Sequence, residues 1–154
     1  MLSLLQGIER VWSKLPEDIG LLLARFTLAT IFWRSGQTKI EGFQLDLIDM
    51  KFQLGWPVMA ESTLFLFEYE YNLPLLSPGF AALLATLAEH FLPLLLLLGF
   101  LTRSSALMLL VMTLVIQIFV YPDAWVTHGL WGALLLVLIS RGAGRLSLDT
   151  LMQR

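Results

Sequence analysis

Four apolar runs divide this chain, at about residues 19–40, 79–101, 104–121 and 124–140, and each approaches the length of a bilayer crossing. A helix needs about 20 mostly apolar residues to cross ~30 Å of hydrocarbon. Hydrocarbon offers the backbone no hydrogen-bond partner, so such runs must bond internally, as helices. Leu92-Pro93-Leu94-Leu95-Leu96-Leu97-Leu98 and Leu134–Ile139 are apolar on every face, without the polar stripe of a soluble bundle helix. Charged residues make up only 14% of the chain, against about 25% in a soluble domain. The expected fold is all-α: an integral membrane four-helix bundle, with residues 1–154 forming a single domain.

Composition also excludes chemistry. The chain has no cysteine, which removes disulfides, thiolate nucleophiles and iron–sulfur ligation. A net charge of −2 without a long basic run leaves no footprint for nucleic acid. No phosphate loop, nucleophile elbow or HExxH helix is present. The histidines His90 and His128 fall at different depths, and Glu89 and His90 are adjacent on one helix, so neither haem nor a dedicated metal site is expected.

Leu4, Leu5, Ile8, Val11, Trp12 and Leu15 follow helical spacing, opposite Gln6, Glu9, Arg10, Ser13 and Lys14. This pattern predicts an amphipathic helix lying in the headgroup region, and it lacks the unbroken apolar centre and cleavage site of a secretory signal. Pro16 should break it, with Glu17 and Asp18 opening the first span. Arg10, Lys14, Arg103, Arg141, Arg145 and Arg154 lie on one side of the spans, against Lys39 and Lys51 on the other. The richer side should be cytoplasmic, so both termini are expected inside.

The first connection, residues 41–78, is far longer than the other two and is rich in aromatic residues. Connections beyond ~12–15 residues without structure of their own are uncommon unless functional or disordered. Ser62 is positioned to cap a short helix through Tyr69, ended before Pro74. Two readings stay open: a lid or re-entrant helix over the bundle, carrying Glu68, Tyr69 and Glu70, or an amphipathic surface anchor.

Ionisable groups inside spans cost ~2.5–3.5 kcal/mol each on insertion scales, so they turn inward and find partners. Arg25 and Arg34 lie in the first span, Glu89 and His90 in the second, and His128 at the start of the fourth. At ~1.5 Å per residue, Glu89 and His90 fall near mid-membrane, within reach of Arg25 from one side or Arg34 from the other. A purely structural role, locking helices in register, competes with a ligand site in the outer half of the bundle. A buried acid beside a histidine suits proton exchange.

The ordered set of motifs resembles the DoxX family of small four-span membrane proteins. Leu21-Leu22-Leu23-Ala24-Arg25 through Ser35-Gly36-Gln37-Thr38-Lys39 is similar to its opening span, with an early arginine and a Gly-x-x-Lys ending. Leu87-Ala88-Glu89 through Gly99-Phe100-Leu101-Thr102-Arg103 is similar to its glutamate-bearing span and Gly-x-x-Thr-Arg exit. Gly142-Ala143-Gly144-Arg145-Leu146-Ser147-Leu148-Asp149 is similar to its tail, with Ala143 where proline is common. The resemblance implies a bacterial inner-membrane protein of redox or stress physiology, a quinone-interacting subunit or partner of an oxidoreductase. Arg25, Arg34, Glu89, His90 and His128 are then the candidate ligand-binding and proton-exchange residues, with a quinone as candidate cofactor. A redox protein and a second copy of the chain are the candidate partners. The alternatives are a non-catalytic scaffold or assembly subunit and a small transporter. Whether the chain is an enzyme is left open.

Overall fold

The structure is a computed structural model that describes residues 16–153; the expected amphipathic N-terminal helix lies outside them. Helix α1 (Glu17–Gln37) is followed by short strands β1 (Ile40–Glu41), β2 (Gln44–Asp46), β3 (Lys51–Gln53) and β4 (Val58–Met59). Then come α2 (Glu61–Phe65), running on as a π-helix to Tyr71, and α3 (Pro78–Leu98). Helix α4 (Thr102–Val115) runs on as a π-helix to Val120, and α5 (Trp125–Arg141) and α6 (Leu148–Leu151) close the chain.

Helix α1 packs most extensively on α3, and α4 on α5. Leu21, Ala24, Leu28, Ala29 and Phe32, which fall on one face of the helix, form the buried stripe of α1 against Leu96, Ala106, Leu109, Leu135 and Leu138. Lipid is as apolar as leucine, so close approach through small residues must hold such helices together. Gly36 shows this. A Cβ there would lie 3.0 Å from the Glu89 carbonyl oxygen and the His90 ring. Pro93 has no N–H for that carbonyl four residues upstream, and the glycine backbone packs against it instead.

Helices Pro78–Leu98 and Thr102–Val120 are long and apolar enough to cross a membrane. Helix α1 carries Glu17, Asp18, Arg25 and Arg34, and α5 is shorter, at 17 residues. Leu23, Phe26, Phe91 and Ile118 point outward and exposed, as side chains facing acyl tails would.

The connection from α1 to α3 differs from expectation by holding strands. Strand β1 pairs antiparallel with β4, and β2 with β3 in the register Leu45 opposite Phe52. Gly42 and Gly55 allow the two limbs to cross, because a Cβ on either would strike backbone of the other limb. The hairpin turn is set by Asp46, whose Oδ1 accepts from the Ile48 and Asp49 N–H groups at 2.9 and 3.0 Å. Ser62 is not the cap: Ala60 precedes α2, and the Ala60 N–H and Thr63 hydroxyl donate to the Lys39 carbonyl instead.

Candidate functional site

At the end of the helices nearest this connection lies a cavity of about 340 Å³ with mostly apolar walls. Its charged centre is an ion pair. Lys39 turns back from the end of α1 so that Nζ lies 2.6 Å from Glu89 Oε2. The same ammonium donates to the Ser35 carbonyl and hydroxyl at 3.3 and 3.2 Å, one turn earlier on the same face. The Glu89 side chain is 4% exposed and that of Lys39 14%.

His128 lines the cavity from α5. Its Nδ1 lies 2.7 Å from Gln117 Oε1, while Gln117 Nε2 donates to the Pro122 carbonyl at 2.6 Å. That amide orientation makes Nδ1 the donor and leaves Nε2 of the neutral ring an acceptor. Phe67 and Tyr71, from the π-helical continuation of α2, cover one side. The Tyr71 hydroxyl meets that of Tyr121 at 3.2 Å, and Tyr121 also reaches Glu70 Oε1 at 3.4 Å. Two π-helical segments therefore meet at this rim, and such segments frequently mark functional sites.

The candidate residues do not all converge here. Glu89 and His128 line the cavity. His90 faces away from it, with Nδ1 on the Thr86 carbonyl at 2.7 Å, Nε2 on Gln37 at 3.1 Å and its ring edge-on to Trp33. The expected pairing of Glu89 with Arg25 or Arg34 is corrected: Lys39 takes the glutamate because its flexible stem reaches back one turn. Arg34 turns outward to Asp46 (3.2 Å) and Asp49 (2.8 Å). Glu68 and Tyr69 are exposed, and the aromatic contact with the cavity comes from Phe67 and Tyr71. Lys39, Ser35, Tyr71 and Tyr121 are additions; the Gly-x-x-Lys ending was the signal for Lys39.

Arg25 sits at the opposite end, in a clasp. It donates to the carbonyls of Ala143 (2.6 Å), Leu146 (3.0 Å) and Leu97 (3.2 Å). Gly99, at φ 65°, lies where a Cβ would strike Ser147 and Arg25. Asp149 accepts from Leu101 and Thr102 at the start of α4, and Asp18 accepts from the Arg145 N–H. The early arginine, the Gly-x-x-Thr-Arg exit and the tail motif are therefore three parts of one contact.

A family model described as DoxX matches residues 20–122, spanning the ion pair and three of the long helices. The chain belongs to the DoxX family. It is accordingly a membrane protein, in keeping with the apolar helices. No curated protein and no solved structure matches it. The family match ends before α5, so His128 and the tail of this DoxX protein lie beyond the matched residues.

Proposed function

We propose that this DoxX protein is a single four-span domain of the bacterial inner membrane, with both termini cytoplasmic, whose outer-half cavity takes a lipid-borne ligand of the quinone class. The observation that carries the reading is the Lys39–Glu89 ion pair set in an apolar cavity. A buried ion pair is a poor stabiliser, because desolvation offsets most of the Coulomb gain; a polar ligand head explains its place better. Ring carbonyls would accept from Lys39 and ring hydroxyls would donate to Glu89 or to His128 Nε2. Phe67 and Tyr71 would close the cavity as a lid. Electrons would come from a partner protein, since the chain's residues supply acid, base and hydrogen bonds. Arg25 and Arg34, engaged elsewhere, fall outside the proposed ligand shell.

The scaffold reading is favoured by one feature: the Glu89 backbone and the His90 ring pack tightly on Gly36, so this stretch also joins α1 to α3. A paired substitution separates the two. Lys39→Met with Glu89→Met removes both charges together, which the apolar surroundings tolerate far better than leaving one charge unpaired. The purified double variant should keep its thermal stability and bind a short-chain ubiquinone at least ~10-fold more weakly, about 1.4 kcal/mol. Unchanged quinone affinity in a folded double variant would defeat the ligand reading and leave the scaffold.

A further inference from the structure

Strands β2 and β3 form a hairpin that lies along the outside of α1, and the edge of β2 that faces the helix is closed by side chains of α1. In the β2–β3 register, Gln44 pairs with Gln53 and Asp46 with Lys51. The inner edge of β2 is closed by α1: Leu45 N–H donates to Gln37 Oε1 at 2.6 Å, and Trp33 Nε1 donates to the Leu45 carbonyl at 2.7 Å. Asp46 satisfies the turn amides of Ile48 and Asp49. Arg34, the outward-facing cation of α1, is neutralised by Asp46 and Asp49. A strand edge and a charge need such partners where they leave water; the outer strand β3 stays exposed along its length.

The tip points down the helices. Leu47 and Ile48 share an apolar groove of about 180 Å³ with Phe26, Thr30 and Leu94. Phe26 lies eleven residues from Gln37, roughly 16 Å inward along the helix. The outer side of the tip is apolar as well, with Leu47 70%, Ile48 56% and Met50 72% exposed. This surface continues the outward, lipid-facing side of α1 and α3, where Phe26 and Leu94 are themselves exposed.

We infer that the β2–β3 hairpin is a re-entrant element whose tip, Leu47 to Met50, inserts among the acyl chains of the leaflet at this end, with the groove beneath it filled by an acyl chain. The inference rests on α1 and α3 spanning the bilayer. Lys51, 61% exposed at its side chain, reaches back toward the headgroups by its long stem, beside Asp49. The hairpin so placed shields the Arg34 pairings from water.

The absence of cysteine gives a clean test. Ile48→Cys and Met50→Cys are each made in the full chain, nitroxide-labelled and reconstituted in phosphatidylcholine–phosphatidylglycerol vesicles. Leu114→Cys, exposed on the outward face of α4 and away from the cavity, reports the membrane itself, and Asp123→Cys, in the exposed turn before α5, reports water. Labels at 48 and 50 should resemble that at 114, relaxed strongly by oxygen and weakly by a water-soluble nickel chelate. Nickel accessibility like that at 123 would overturn the inference, with the hairpin lying in water. Protection from both reagents would overturn it too, because a second copy or another protein would then cover the tip. Failure of position 114 as well would instead undermine the spanning of these helices. Agreement between two tip positions guards against one label disturbing the turn.

Discussion

Glu89 illustrates what one residue reveals and conceals. A carboxylate eleven residues into an apolar run must be buried and must find a partner, and this was legible. The partner was not. Arg25, Arg34 and Lys39 all lie on α1 or just beyond it, and a depth count favours the arginines. Lys39 prevails because a four-carbon stem can fold back along the helix, whereas Arg25 finds three carbonyls and Arg34 two carboxylates closer to hand. Asp46 adds a pH dependence. Its carboxyl is held below the usual range first by the Asp49 N–H, then by that of Ile48 and by Arg34 and Lys51, against some opposing desolvation. A depressed folded value stabilises the hairpin above the unfolded value, about 3.9 for aspartate, and that contribution is lost as pH falls through the folded value. A nitroxide at position 48 should be immobile at neutral pH and gain mobility below about pH 4. Asp46→Asn should flatten that transition; a wild-type hairpin equally immobile at pH 2 contradicts the assignment.

Among the elements, the long helices were read to within a few residues, because twenty apolar residues leave few alternatives. The strands were missed for a physical reason: each is two or three residues long, too short for an alternating pattern to register, and they are held by Gly42, Gly55 and the Asp46 turn rather than by strand propensity. The start of α4 was equally opaque. Leu101 sits there in the left-handed region at φ 49° and offers no side-chain cap. Asp149, 47 residues away from Thr102, supplies both oxygens at 2.8 and 3.0 Å. A remote residue thus caps a long apolar helix, and the tail motif acquires a purpose that local spacing does not express. Asp149→Ala should cost about 1–2 kcal/mol, the worth of a strong helix cap, read as a lower midpoint in detergent unfolding. Asp149→Asn, which keeps an acceptor, should retain part of it. An unaltered midpoint in Asp149→Ala would show that the helix starts without help from the tail.

Across the whole molecule, the few charges do not gather at one place, although several helices contribute them. They divide into a clasp at the tail end, built on Arg25 and Asp149, an ion pair in the cavity at the other end, and the hairpin group around Arg34. Arg25 and Lys39 are fourteen residues apart, roughly 20 Å along the axis of α1. Such a separation exceeds the ~7–10 Å over which substitutions usually couple. The division therefore has a measurable consequence. Arg25→Met deprives three carbonyls of a charged donor and should destabilise by about 3–5 kcal/mol, three hydrogen bonds at roughly 1–1.5 kcal/mol each, while leaving quinone affinity in folded protein unchanged. Combined with the Lys39→Met, Glu89→Met pair, its effect on stability should add to within ~0.5 kcal/mol. If the combined loss departs from the sum by more than about 1 kcal/mol, the two ends communicate through α1, and the clasp must be treated as part of the cavity rather than as its foundation.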